Sequence, residues 1–198
     1  MKTIDSPAPP SLRSWLLWTA GFIVLPLAGF AGSAIIGRID NPAAALAGGA
    51  IVGLIIGFGQ ALTSTHRLQA VTWIPATATG MSLGLFLGAT AVSYRTSLAD
   101  LVLMGAINGL VLGTTQAVAL PRRAQRRWMW AAAMPVLWAL GWSVSTLILV
   151  GVDAQFIVFG ASGALVVTAL SGLLLHQILP SQHEPGTHPV LPVKAATA

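Results

Sequence analysis

Few side chains in this sequence are equipped for chemistry, and most of those are amides. Gln60 and Gln116 each stand near the end of a long apolar run, and His176 with Gln177 closes another. Amide and imidazole groups can both donate and accept hydrogen bonds. Gathered around one axis, these four residues would form a polar ring able to bind a small molecule or act as a gate. Kept apart, they would satisfy helix-end carbonyls or reach interfacial water. Asn108 lies inside an apolar run, where an amide calls for a partner on a neighbouring helix. Trp138 and Trp142 are four apart and share a helix face. They either fill a core or face lipid.

Other chemistries fail on residue type or spacing. His183-Glu184-Pro185-Gly186-Thr187-His188 loosely imitates a zinc-protease signature. That chemistry needs two histidines one helical turn apart; here they are five apart and Pro-Gly interrupts the helix. With no cysteine, thiolate metal sites and cysteine nucleophiles are excluded. The glycine runs lack the Lys-Ser or Lys-Thr of a phosphate loop. Asp40, Asp100 and Asp153 each precede an apolar run, where acids suit a helix N-terminus and would cap its first turn. Arg38 and Arg95 stand near the first two of these acids. No nucleophile–base pair or metal cluster emerges, so the expectation is a protein without enzymatic activity, metal or cofactor.

The elements that position these residues follow from the gaps between charges. The chain is 55% hydrophobic and 8% charged, against about 25% charged in soluble domains, and its mean hydropathy is +0.80. A helix needs about 20 apolar residues to cross the hydrocarbon core of a bilayer. Six runs qualify, at about 14–37, 42–65, 70–94, 101–121, 128–152 and 155–179. They are too long and too uniformly apolar for barrel strands. The fold class expected is an all-α membrane protein, a six-transmembrane-helix bundle over residues 14–179. Residues 1–13 and 180–198 are proline-bearing and lack apolar periodicity, so both read as disordered cytoplasmic tails.

Orientation comes from Lys and Arg. Lys2, Arg13, Arg67, Arg122, Arg123, Arg126, Arg127 and Lys194 fall on one side of this arrangement, and only Arg38 and Arg95 on the other. Both termini are therefore expected in the cytoplasm of a bacterium, with the protein in its cytoplasmic membrane. Trp15, Trp18, Trp73, Trp128 and Trp130 fall near the basic side, where tryptophan anchors at the lipid–water boundary. The formal charge of +5 is no nucleic-acid signal, because the basic residues flank apolar runs rather than cover one polar face. Besides the lipid bilayer, the expected partners are a membrane or cytoplasmic protein. Arg122, Arg123, Arg126 and Arg127 are the candidate contacts to a partner or to anionic lipid.

An internal repeat organises the middle of the chain. Gly49–Ala61 (GAIVGLIIGFGQA) and Gly105–Ala117 (GAINGLVLGTTQA) are identical at eight of thirteen positions at an offset of 56. Arg67-Leu-Gln69 matches Arg123-Ala-Gln125 at the same offset, and Trp73 falls one residue from register with Trp130. Spans two and three therefore read as a helical hairpin repeated in spans four and five, with spans six and one as a decayed third unit. Gly49, Gly53 and Gly57 are spaced by four, as are Gly80, Gly84 and Gly88, and Gly105, Gly109 and Gly113. Such stripes let helix backbones approach closely in lipid, either within the monomer or against another subunit.

The repeated unit of glycine seam, Gln, basic loop and Trp resembles that of a class of small bacterial multi-span membrane proteins without an assigned activity. The resemblance covers roughly residues 49–141 and implies a hairpin-repeat fold, with no catalytic residues. Size and topology are also similar to the vitamin-capturing subunits of energy-coupling-factor transporters, but no motif carries that likeness and the internal repeat argues against it. The function expected is a permeation or small-solute transport component, with a membrane scaffold acting through the basic loop 122–127 as its rival. A membrane enzyme acting on lipid is a third reading. No ionisable side chain lies deep in a span, which argues against proton- or ion-coupled transport.

Overall fold

The computed structural model describes residues 12–148 and 161–179. Among these the regular elements are all helical: α1 (Leu12–Ala20), a 3-10 turn (Gly21–Ile23), α2 (Val24–Ile36), α3 (Pro42–Thr63), α4 (Ala70–Ala91), α5 (Leu98–Ala119), α6 (Arg127–Leu147) and α7 (Ala161–Ile178). Six helical stretches among the described residues are long and apolar enough to cross a membrane, α1 to α2 together forming the first. Asp153, the 183–188 motif and most of both expected tails lie outside the described residues.

The first span is not the single uniform helix expected at 14–37. It tightens into a 3-10 turn at Gly21–Ile23, where the Val24 N–H reaches back to the Gly21 carbonyl. Pro26 has no N–H to return to the carbonyl of Phe22, and its ring crowds that carbonyl. Gly21 further weakens the local helix.

The caps also differ from expectation. Asn41, not Asp40, opens α3: its side chain accepts from the Ala44 N–H at 2.9 Å, and Pro42 occupies the first helical position. Asp40 instead accepts from Asn41 Nδ2 at 2.8 Å. Ser97 opens α5 by accepting from the Asp100 N–H at 3.3 Å. Asp100 sits one turn in, accepting from Ser97 Oγ at 2.6 Å and from Arg95 Nη2 at 3.0 Å. A cap must supply a short side-chain oxygen from the residue just before the helix. Asn41 and Ser97 hold that position, and Asp100 favours the helix dipole from inside the first turn.

Consecutive spans pack side by side in antiparallel fashion, and α7 returns to α1 to close the ring. Two indoles lock the closure: Trp15 Nε1 donates to the Ala169 carbonyl and Trp18 Nε1 to Ser171 Oγ, each at 3.1 Å. The glycine stripes face the next helix in the chain. A Cβ on Gly49 would lie 2.6 Å from the Met81 carbonyl oxygen, and one on Gly53 would lie 2.7 Å from Ala78 Cα. Gly57 faces Ile74. Gly80, Gly84 and Gly88 meet α5 at Leu112, Asn108 and Met104, and Gly105, Gly109 and Gly113 meet α6 at Trp138, Met134 and Ala131. The helices therefore touch backbone to backbone, which gives van der Waals attraction where lipid offers no hydrophobic drive.

Polarity is distributed inside out. Thr77, Asn108, Gln116, Ser145, Thr168 and Ser171 are buried, whereas Leu27, Phe30, Leu54, Phe58, Leu110, Val118 and Val136 are each at least half exposed. In water so broad an apolar exterior would be an aggregation surface. Against hydrocarbon it costs nothing.

Candidate functional site

Four successive helices bring polar groups together near the end of the ring that carries Arg67 and Arg123. Gln60 projects from the last turns of α3, and Trp73 and Thr77 from the first turns of α4. Gln116 comes from the end of α5 and Trp130 from the start of α6. Gln60 Oε1 accepts from Trp73 Nε1 at 3.0 Å and from Gln116 Nε2 at 3.3 Å. Gln116 Nε2 also donates to Thr77 Oγ1 at 3.0 Å, and its Oε1 accepts from Trp130 Nε1 at 3.1 Å. Thr77 Oγ1 donates to the Trp73 carbonyl at 2.8 Å. The two indoles meet edge to face, with centroids 5.9 Å apart. Gln116 is 1% exposed and both tryptophans 0%, so the bonds from Gln116 to Thr77 and Trp130 form out of contact with solvent, whereas Gln60 is half-buried. Both amide hydrogens of Gln116 are used, which leaves the network with little freedom to reorganise. The Gln60–Gln116 bond joins α3 to α5 past α4, and so runs across the interior of the ring.

Further from the basic end lies a small axial cavity of about 20 Å³. Five of the six spans line it: Leu25 on α2, Val52 and Ile56 on α3, Met81 and Leu85 on α4, Met104 and Asn108 on α5, and Trp138 and Trp142 on α6. At 1.5 Å per residue, Gln60 lies about 6 Å along the helix from Ile56, and Gln116 about 12 Å from Asn108. Asn108 is 3% exposed. Its Nδ2 donates to Met81 Sδ at 3.7 Å, a bond to a weak acceptor, and its Oδ1 has no hydrogen-bond partner. The inter-helix bridge expected of Asn108 is thus made on one side only, and to sulfur rather than oxygen. Trp138 and Trp142 fill the core instead of facing lipid.

His176 and Gln177 do not join the glutamine pair. Adjacent residues point about 100° apart around a helix, so the two cannot both face one axis, and Gln177 is exposed. His176 Nδ1 lies 3.0 Å from Arg67 Nη1. A guanidinium can only donate, so this nitrogen is the acceptor and carries no proton. Arg67 Nη2 also donates to the Leu179 carbonyl at 2.7 Å, just past the end of α7. Burial, with Arg123 nearby, lowers the Arg67 pKa from its ordinary value, yet an arginine stays charged. Arg123 donates to the Arg67 carbonyl at 3.0 Å, Arg127 to the Pro121 carbonyl at 2.8 Å, and the Gln125 N–H to the Ile178 carbonyl at 2.9 Å. These bonds draw the α3–α4 loop, the α5–α6 loop and the end of α7 into one basic face. Arg122, Arg123 and Arg126 are exposed on it.

Three tryptophans depart from the anchor role expected of them. Trp18, Trp73 and Trp130 are buried, and each indole N–H is spent on an internal acceptor, as a buried tryptophan requires. Trp128 is 68% exposed, as an interfacial anchor would be. The role of Trp73 and Trp130 as donors to the glutamines had a signal in the sequence: the Gln-to-Trp separation is 13 in one hairpin and 14 in the other. Thr77 and the Arg67–His176 contact had none.

Comparison with protein-family models, curated proteins and solved structures finds no match to this chain.

Proposed function

We propose that this chain is a multi-pass protein of the bacterial cytoplasmic membrane, with both termini in the cytoplasm, and that it serves as a non-enzymatic permeation or small-solute transport component. The observation that carries this reading is the axial cavity lined by five spans, with the bonded Gln60–Gln116 pair lying between it and the basic face. An apolar chamber backed by a polar pair has the layout of a solute path with a gate. The excess of basic residues at the gated end supports its placement in the cytoplasm.

The same reading takes α3–α4 and α5–α6 as two copies of one hairpin. Each copy supplies a glycine seam, a glutamine, and a tryptophan that donates to that glutamine. The pairing of α7 with the first span is a degenerate third copy, in which Trp18 donates to Ser171. Parallel repeats of this kind share one axis along the membrane normal, and the lining of the cavity by both hairpins supports that arrangement.

Reconstitution into phosphatidylethanolamine–phosphatidylglycerol vesicles tests the proposal. Stopped-flow light scattering under osmotic gradients of small neutral solutes should show faster relaxation than in empty vesicles. The gain should be lost in Gln60→Leu and Gln116→Leu proteins that still fold. Equal relaxation with and without wild-type protein, for every solute, would end this reading.

A second reading is a scaffold that engages a cytoplasmic protein or anionic lipid, and the exposure of Arg122, Arg123 and Arg126 on one face favours it. Substituting glutamine for these arginines and Arg127, with orientation checked, should then strip co-purifying protein or lipid while leaving flux unchanged.

A further inference from the structure

Asn108 presents an unusual combination. Its side chain is almost fully buried, it lines a cavity, and one end of its amide is unsatisfied. That end packs against Gly84, whose missing side chain makes room for the amide: a Cβ there would collide with Asn108 Oδ1. Turning the amide over does not remove the deficit. The Met81 sulfur would then face the oxygen and the NH2 group would be left unpaired. An unmet polar group at this depth costs more than one in water, and the shape around it offers no protein partner. The cavity, at about 20 Å³, exceeds the roughly 10–15 Å³ that a single water requires. No charged side chain lines it, and the remaining lining is aliphatic, thioether and indole, which disfavours ions.

We infer that this cavity is a binding site for one uncharged, water-sized hydrogen-bonding molecule held by the Asn108 amide, with water as its resident. The site stands on the cavity and the unpaired amide alone. Its extension, that the permeant belongs to the same class of small neutral hydrogen-bonding solutes, rests on the permeation reading above.

The test uses the full chain in nanodiscs with carbon-13 methyl labels on methionine. Water-to-methyl nuclear Overhauser signals are read at Met81 and Met104, which both line the cavity. Wild type should give a signal from a long-lived water. Asn108→Ala enlarges the cavity, yet an apolar cavity stays dry, so the signal should fall about tenfold, the worth of one hydrogen bond in a dry site. Asn108→Ser, similar in size but able to hydrogen-bond, should retain it. Should Asn108→Ala fail to fold, Leu85→Phe fills the space from α4 and should abolish the signal instead.

Absence of a water signal in wild type, or equal signals in the Ala and Ser variants, overturns the inference. A water signal that depends on Asn108, in a protein without vesicle flux, upholds the site and removes the permeation reading. Flux without the signal does the reverse.

Discussion

Replacing Gln116 with leucine should destabilise the protein mainly through a residue that is not mutated. Gln116 makes three side-chain hydrogen bonds, but its loss does not strand all three partners. Thr77 Oγ1 keeps its own bond to the Trp73 carbonyl, and Gln60 Oε1 keeps the Trp73 indole. Only Trp130 Nε1, with Gln116 Oε1 as its acceptor and a side chain that is 0% exposed, is left with nothing. A stranded buried donor costs about 1–3 kcal/mol. Hydrogen bonds between membrane helices average about 0.6 and reach about 1.7 kcal/mol. The expected loss for Gln116→Leu is therefore about 1–2 kcal/mol. Trp130→Phe removes the donor but strands the Gln116 oxygen, so it carries a cost of its own, including lost ring volume. The double variant removes both members and should recover about 1 kcal/mol relative to the sum of the single changes. Reversible unfolding in mixed micelles, followed by circular dichroism, measures all four corners of the cycle. Strict additivity, or a neutral Gln116→Leu, would show that the indole–amide bond does not hold α5 to α6 and would refute the reasoning.

Other consequences follow from the same contacts. Gly109→Ala places a methyl 2.5 Å from the Met134 carbonyl oxygen, a backbone atom that cannot swing away. It should cost about 1–3 kcal/mol in the same unfolding assay, whereas Leu54→Ala on the outer face should stay within about 0.5 kcal/mol. Arg67→Lys keeps the charge but not the fork that reaches both His176 and the Leu179 carbonyl. Hydrogen exchange in the last turn of α7 should accelerate, and unchanged protection would mean that Arg67 does not hold that end. The chain contains no cysteine, so single substitutions report topology without background. His66→Cys, on the basic face, should be labelled by an impermeant maleimide only in inside-out vesicles and Ala43→Cys only in right-side-out vesicles. The opposite pattern would invert the proposed orientation.

The sequence was most legible where charge punctuates it. Charges punctuate the chain, and α3, α4 and α5 begin and end within three residues of the uncharged runs at 42–65, 70–94 and 101–121. The 3-10 break at Gly21 was readable in principle, since Pro26 and Gly21 are both visible, but only packing decides whether a proline kinks, tightens or is simply absorbed. Pro75 and Pro135 sit inside α4 and α6 without ending either helix. Depth was the harder quantity. Trp73 and Trp128 have the same residue type and similar loop neighbourhoods, yet one is wholly buried and the other largely exposed. The difference lies in which face of the helix turns inward, and a short apolar segment with no amphipathic contrast does not announce its inner face. For the same reason the sequence could require a partner for Asn108 but could not show that a thioether would be the only one to arrive.

The glycine seams and the axial cavity are two sides of one geometric constraint. In a regular ring of six helices, the distance from each helix axis to the centre equals the spacing between neighbours. Every ångström by which backbone contact draws adjacent helices together therefore also narrows the central hole. With ordinary side chains between the helices the hole would be wide, and would fill with lipid or water. With Gly49 to Gly57, Gly80 to Gly88 and Gly105 to Gly113 against their neighbours, what remains is small enough for Met81, Met104, Trp138 and Trp142 to fill almost completely. The cavity beside Asn108 is the residue of that fit. Enlarging a seam should accordingly be felt at the centre as well as at the contact: Gly109→Ala should increase the water signal at Met81 and Met104 as it lowers stability. A seam substitution that destabilised the protein but left the central water untouched would mean that the helices had separated tangentially without widening the ring, and the link between packing and site would fail.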